Sequence, residues 1–530
     1  MPAIMDILEK WHPIATATFG ALLYILYQHF FHPLSRYPGP FLARLTDYWR
    51  YRDVRDRQCH MSRVALHEKH GPVVRVGPNT LSISDPAYIP KIYGPGQGFL
   101  KSPFYHPFQG WVGDKIGYNL FTTRDAASHS ELKQPVAHAY NFKSALEFEP
   151  IVDQCIETMV TRLDEMIVQS KPKKACDLGQ WMQYYSFDVM AIMTWGKAFG
   201  FLDRGEDVGA MIRRLDERMD VISPQSQMPW LDWLQTKNGI VNLFRNRTNA
   251  FATLAATLIQ DRQKALADGS AKPSPRLFID HFIHAQREHP AVVDARTIVI
   301  YTTTNIMAGS DTVAIALRTI LYMVMRHADV RERLLAEIDT AKLGFPVTWE
   351  EAQQLPYLDA VIQESLRIHP PVGLPLERVV PPEGLMMHDG THVPAGVQVG
   401  CHSWPIHLLD PVWGPEPKSF NPDRWLKAIG ESAEEHPRRV ASMKRASLAF
   451  GAGSRMCMGR HLSIVQIAKL VPSLLMKFRF ELVDEEREWK VTAGWFVRQA
   501  EMDVFIEPRY RSKMDHSIDP APEASLETLI

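Results

Sequence analysis

Cysteine is scarce in this chain: Cys59, Cys155, Cys176, Cys401 and Cys457 are five residues among 530. An odd and widely spread set excludes the disulfide framework of a small secreted domain and suits a reducing compartment. Charge of either sign is equally short in excess. A formal net charge of -1 leaves no electrostatic footprint for nucleic acid. Beyond Pro40 there is no second long apolar run, no internal repeat and no long linker. These absences exclude a repeat array and a body cut into separate units.

What is present begins at the N-terminus. From Ile14 to Phe31 the run IATATFGALLYILYQHFF has no formally charged residue. As a helix it is roughly 27 Å long, about the thickness of the endoplasmic reticulum hydrocarbon core. Arg36, Arg44, Arg50 and Arg52 follow it, which places the main body on the cytosolic side. No small-residue cleavage site follows, and HPLSRYPGP is a proline-broken connector, so a signal peptide fits less well than an anchor. A buried core helix is the other alternative, and Gln28 and His29 favour it slightly. The expected organisation is an anchor over 1–31, a hinge over 32–40, a folded body over 41–511 and a disordered tail over 512–530.

Within the body, Ala145 to Ser170, Asp294 to Met325, Leu355 to His369 and His461 to Lys477 carry apolar residues at helical intervals. VVRVGP and TLSIS, near residues 73 to 84, alternate like short strands. The spacing predicts a mainly α fold with small β-sheets.

The chemistry gathers near the C-terminus in FGAGSRMCMG, Phe450 to Gly459. Glycines on both sides of Cys457 permit a tight loop whose amides approach the sulfur and favour thiolate over thiol. The following RHLSIVQIAKLVPSLL predicts a helix whose positive end points at the same sulfur. A thiolate so held is an electron-rich axial ligand for haem iron. A structural cysteine in a Gly-rich turn is the bland alternative. Zinc fits poorly, because no second cysteine or paired histidine stands at zinc spacing.

This segment matches F-x-x-G-x-R-x-C-x-G at Phe450, Gly453, Arg455, Cys457 and Gly459, and so resembles the haem signature of the cytochrome P-450 family. The resemblance covers the whole chain after the anchor and implies a single fold of that family. It implies haem b on Cys457, dioxygen as co-substrate and NADPH as electron source through a reductase.

Further segments extend it in order. AGSDT, Ala308 to Thr312, lies inside a long helical run. Small Ala308 and Gly309 would admit a flat cofactor, while Asp311 and Thr312 are a polar pair in mid-helix, where neither is favoured. An intrahelical hydrogen bond with a satisfied buried acid is the bland reading. The resemblance implies a distal relay, with Thr312 holding oxygen or water and Asp311 passing protons from solvent. Glu364 and Arg367 of ESLR share a helix face. By resemblance they form a buried triad with Arg424 of FNPDRW and lock the cysteine loop. Arg455 and Arg378 resemble the arginines that bind the haem propionates. The family's W-x-x-x-R is replaced by HSELK, which puts His129 and Lys133 at those positions and loses a bidentate fork.

HPLSRYPGPFLARLTDYW, LFTTRDAASH and WFVRQ resemble a fungal microsomal branch that includes pisatin demethylase-like and benzoate hydroxylase-like enzymes. This implies an endoplasmic reticulum membrane protein with an NADPH-cytochrome P-450 reductase as partner. Its substrate would be a lipophilic small molecule of secondary metabolism, such as a terpenoid, polyketide or alkaloid. Arg438, Arg439, Lys444 and Arg445 could meet an acidic reductase face, or belong to a solvated loop. By resemblance, Phe104, Tyr105, Phe108 and Trp111 would roof the substrate pocket, and Met307, Val372, Leu374 and Trp495 or Phe496 would wall it. A haem-thiolate isomerase or dehydratase is the main alternative, against which the intact Asp311–Thr312 pair counts. A non-catalytic haem sensor is a weaker one.

Overall fold

Residues 15–244 and 250–509 are described by the computed structural model; the tail expected from residue 512 lies outside them. Helix α1 (15–26) continues into a π-helical turn, Tyr27–Phe31. Its apolar side chains face outward, Phe19 being 62% and Phe31 75% exposed. The polar Gln28 is the point where this helix meets the body. Arg75 donates to its backbone oxygen at 3.0 Å and to its side-chain oxygen at 2.7 Å. A polar residue in the apolar run is thus satisfied by the body.

The two alternating segments form the hairpin β1 (Val73–Gly77) and β2 (Thr80–Ile83), in which Val74, Val76, Leu81 and Ile83 are buried. The short strand β3 (Leu100–Lys101) follows, then α2 (Ala126–Lys133), whose first turn is capped by Asp125 accepting the Ser128 N–H at 2.7 Å. The predicted helix from Ala145 breaks into Phe142–Glu147, α3 (Glu149–Leu163) and a π-turn, because Pro150 can stand only in a first turn. Next come α4 (Leu178–Trp195), ended by left-handed Gly196, and α5 (Met211–Gln225).

Helix α6 (Ala295–Arg326) is the axis of the molecule, about 48 Å long at the usual rise. Asp294 starts it by accepting the Thr297 N–H at 2.7 Å. Contrary to the expectation of no second long apolar run beyond Pro40, it is long and apolar enough to cross a membrane, yet most of its apolar stretch is buried against protein, including α4. Helix α7 (Pro356–Ile368) ends before Pro370 and Pro371. Strands β4 (Arg378–Val379) and β5 (Gln398–Cys401) complete a five-stranded sheet of order β1-β2-β5-β4-β3, with β5 parallel to β2 and the other pairs antiparallel. The basic stretch before the cysteine loop, expected as a loop or a docking patch, forms helix α8 (Glu435–Ala446). Helix α9 (Arg460–Lys477) then leads into the C-terminal strands, among them β6 (Val497–Ala500). The result is mainly helical with small sheets, as periodicity predicts.

Candidate active site

The cysteine loop is built by two left-handed glycines, Gly451 (φ 71°) and Gly453 (φ 66°). At Gly453 a Cβ would stand 1.7 Å from the Tyr93 carbonyl oxygen, so only glycine seats the loop there. The Cys457 N–H closes the turn on Phe450 O at 2.9 Å. The sulfur faces a large internal cavity rather than bulk water, and the Gly459 and Arg460 amides at the start of α9 hydrogen-bond it. These amides pull the thiol toward ionisation, as expected, but burial outweighs them and its pKa is raised. The loop therefore does not hold a thiolate unaided. A cation bound to the sulfur would supply the missing stabilisation.

Across the same cavity, of about 940 Å³, stand Ala308, Asp311 and Thr312 of α6. The Thr312 hydroxyl donates to Ala308 O at 2.7 Å, the bland intrahelical bond, and still borders the cavity. Asp311 is buried and accepts from Gln183 Nε2 of α4. Burial first, then the nearby Asp216, push its carboxyl up to about 7, against the pull of Arg498, Gln183 and Arg318. Behind it Arg318 donates to Gln183 Oε1 at 2.8 Å, while Arg498 pairs with Asp216 and Asp220. Asp220 in turn meets the exposed Arg57 at 2.8 Å. A protonatable carboxyl thus lies between the cavity and charged groups that reach the surface. Ala308 and Gly309 both border the cavity, as expected of the small residues there. Gly309 serves a second purpose as well, since its absent Cβ makes room for the Met190 side chain of α4 and lets the two helices pack closely.

The cavity edge is cationic. Lys101 and Arg378 face each other in the β3–β4 ladder, and both are buried. Arg455 donates to Thr123 O and Asp125 O, each at 3.1 Å, and Lys133 reaches Ser454 O at 3.5 Å. Among the described residues none of these four has a carboxylate partner. Like charges directly opposite in a sheet destabilise it unless an anion intervenes. Burial, then Arg378 and Arg455, hold the Lys101 ammonium well below its ordinary pKa. Burial, then Arg378, bring Arg455 down to about 10. His129 is buried among them and lowered to about 3, so it is a neutral imidazole. Lys101 also donates to Phe121 O, but buried and half-buried cations without a carboxylate partner around a cavity floored by a cysteine sulfur fit a flat dianionic cofactor with two carboxylates.

Arg378 stands behind the rim rather than on the cavity wall, its Nη1 bound to Tyr105 Oη, Leu376 O and Glu377 O at 3.0 to 3.1 Å. Lys101, Arg455, His129 and Lys133 border the cavity directly. Lys101 carries no sequence signal beyond its place at the start of an aromatic segment. Only strand pairing brings it beside Arg378.

Behind the cysteine loop the triad closes as expected. Arg367 grips Glu364 with bonds of 2.7 and 2.8 Å, and Arg424 donates to Glu364 Oε1 at 3.1 Å. Trp425 Nε1 and the Asn421 N–H complete the carboxylate's contacts at 3.0 and 2.9 Å. Asp423, which departs from the family's glutamate, faces out to Arg333 at 2.6 Å and leaves the triad alone. Nothing in the sequence marks His407, yet its ring lies between Arg367 and the approach to the loop.

Phe108, Trp111, Met307, Val372, Leu374, Trp495 and Phe496 line the cavity as expected. Phe104 and Tyr105 do not. They are fully buried beneath it, Phe104 packing edge-on against Tyr105 with ring centroids 5.1 Å apart. They support the pocket's aromatic wall rather than forming its surface.

Comparison with known proteins follows the same line. Residues 37–505 match the family model described as Cytochrome P-450. The chain is 34% identical to the cytochrome P-450 monooxygenase cicH of Emericella nidulans, over 92% of this chain and 97% of the relative. It is 34% identical to the cytochrome P-450 monooxygenase cfoH of Aspergillus candidus over 94% of this chain and 93% of the relative. The corresponding enzyme mfmA of Annulohypoxylon moriforme is 33% identical over 90% and 92%. With the cysteine loop, the cationic rim and the threonine-bearing helix around one cavity, these similarities make the chain a haem-thiolate monooxygenase of the cytochrome P-450 family.

Proposed function

We propose that the protein is an NADPH-dependent monooxygenase of the endoplasmic reticulum membrane that oxidises a lipophilic product of secondary metabolism: a terpenoid, polyketide or alkaloid skeleton. The observation that carries this reading is the cavity itself. It has Cys457 on one wall, Asp311 and Thr312 on another, and a mainly apolar lining large enough for a polycyclic molecule.

In this reading Cys457 would hold the haem iron, Arg455, Lys101, His129 and Lys133 would meet the cofactor's carboxylates, and Arg378 would add its charge from behind the rim. When bound, the haem supplies dioxygen activation by one-electron reduction. The chain's own groups do the rest. Thr312 presents a hydroxyl at the cavity wall, and Asp311, whose carboxyl burial pushes up to about 7, passes protons inward from the Arg498–Asp216–Asp220 network. Trp495, Phe496 and Phe108 exclude water from the reacting carbon.

Two features support the membrane location. Helix α1 turns its apolar side chains outward, and a second exposed apolar group follows α5: Trp230, Trp233, Leu234, Ile240 and Leu243. On α8, Lys444 and Arg445 are exposed and, among the described residues, unpaired, which supports docking of an acidic reductase face. Arg439 is not part of that surface, being held by Glu431 at 2.8 Å.

The test is spectroscopic. The reduced carbonyl complex should show the thiolate-type absorption band and lose it in Cys457→Ala, and NADPH consumption with a flavoprotein reductase should rise on adding substrate. An imidazole-type band in the wild type would refute the ligand.

A further inference from the structure

Away from the cationic edge and the Asp311–Thr312 pair, the cavity carries a further polar, oriented spot made by Asn119 and Thr304. On α6 the hydroxyls of Thr302, Thr303, Thr312 and Thr319 each donate to a carbonyl one turn back, at 2.7 to 2.9 Å. Thr304 behaves differently. Its Oγ1 accepts from Asn119 Nδ2 at 3.2 Å, and among the described residues its own hydrogen goes to no acceptor. Both side chains border the cavity.

Asn119 is locked in place. Its Oδ1 accepts the Thr122 N–H at 2.8 Å, its N–H donates to Thr122 Oγ1 at 3.0 Å, and its carbonyl takes the Thr123 hydroxyl at 2.7 Å. The Thr122 N–H decides the amide orientation, since a flipped amide would set two donors against each other. The NH₂ group therefore faces Thr304 and retains a second hydrogen. One hydrogen on Thr304 and one on Asn119 thus remain without an acceptor among the described residues, on two side chains that touch each other at the cavity.

These donors are neutral. A ketone, lactone or quinone oxygen needs only hydrogen bonds, whereas a carboxylate would be drawn away from this pair to Arg214 and Arg218 of α5, which also border the cavity. Thr304 precedes Thr312 by two turns of α6, about 12 Å along its axis. We infer that the substrate carries a neutral carbonyl oxygen seated on Thr304 Oγ1 and Asn119 Nδ2, on the order of 10 Å from the carbon that is oxidised. This rests on the monooxygenase reading above and narrows its substrate class to elongated lipophilic carbonyl compounds.

The probes are androstane and its ring-A ketone, which differ only in that oxygen and span the required length. Dissociation constants are read by calorimetry on the full-length, haem-loaded protein. The ketone should bind about tenfold more tightly than the hydrocarbon, the worth of one or two net hydrogen bonds. Thr304→Val, which keeps the shape, should reduce that preference to threefold or less. Hydrocarbon affinity should stay the same, and Thr304→Ser should keep the preference. Asn119→Asp, which retains the acceptor for Thr122 but places a carboxylate beside the ligand oxygen, should abolish ketone binding. Equal affinities in the wild type, an undiminished preference in Thr304→Val, or failure of both probes to bind would overturn the inference. The carbonyl-complex band is measured on the same samples. Loss of that band would instead count against the monooxygenase reading.

Discussion

His407 Nε2 accepts the backbone N–H of Leu448 at 2.9 Å, and its Nδ1 lies 2.9 Å from the Arg367 carbonyl oxygen. Since the Leu448 amide can only donate, the proton must sit on Nδ1 and bond Arg367. Burial, and the charge of Arg367, bring the ring's pKa down to about 3, so this tautomer is neutral at any physiological pH. The buried Glu364–Arg367 pair is thereby tied to the segment that enters the cysteine loop. Arg367 answers by donating to His407 O at 2.7 Å.

His407→Leu should therefore loosen the loop. It strands the Leu448 amide and the Arg367 carbonyl in the interior, at about 1–3 kcal/mol each. The expected outcome is a thermal midpoint lower by several degrees and faster loss of haem, followed by calorimetry and by the Soret band. An unchanged midpoint with unchanged haem retention would show that the bridge is idle.

The carboxyl of Asp311 predicts a pH limb. Its folded-state pKa is raised to about 7, so the proton is held more tightly in the folded chain than in the unfolded one. Its stabilising contribution is present at low pH and is lost as pH rises from the ordinary carboxyl range through about 7. Proton delivery, which follows the folded-state value alone, should fade around pH 7. Asp311→Asn should lower turnover by about 10²-fold and remove the limb centred near 7, measured as kcat against pH. A mutant that keeps the wild-type profile would assign the limb elsewhere.

Lys101 is predicted to act on cofactor retention rather than on chemistry. Lys101→Met removes one of the buried cations that lack a carboxylate partner while keeping an unbranched apolar stem one atom shorter. Haem transfer to apomyoglobin should accelerate by roughly tenfold, about the worth of one charge-assisted hydrogen bond. The apoprotein, relieved of a cation opposite Arg378, should be no less stable than the wild type to urea. Slower haem loss, or a destabilised apoprotein, contradicts this assignment.

On the outer face, Lys444→Glu combined with Arg445→Glu should raise the KM for the reductase several-fold at low ionic strength. The difference should shrink as salt screens the exposed charges. Arg439→Glu is expected to fail differently, by destabilising the fold, because its guanidinium also caps Arg424 O and Leu426 O. Stopped-flow reduction at two salt concentrations separates the two effects.

Local order is legible in the amino-acid sequence. Asp294 opens α6 where the apolar periodicity starts, the helix predicted over Leu355 to His369 is Pro356–Ile368, and the two alternating segments pair as β1 and β2. Cys457, Thr312 and the Glu364–Arg367–Arg424 cluster come together as their motifs imply. Side-chain direction and distant neighbours are not legible in the same way. Gly309 borders the cavity as its motif implies, but it also seats the Met190 side chain, a neighbour on another helix. Phe104 and Tyr105 share a segment with Phe108 but point beneath the wall it forms.

The sequence by itself determined a glycine-flanked cysteine and a polar pair in mid-helix, local patterns whose resemblance to the family's motifs implies the reaction class. It also determined the helical character and an apolar N-terminal run. The tertiary structure alone decided which buried cations stand unpaired, since Lys101 meets Arg378 only through a strand ladder joining residues far apart in the chain. It decided the ionisation of Asp311 as well, because burial and the charges of Asp216 and Arg498 arrive from other elements. Periodicity and turn chemistry are fixed by neighbours in sequence. Electrostatics and cavity shape depend on neighbours in space, and those exist only once the chain has folded.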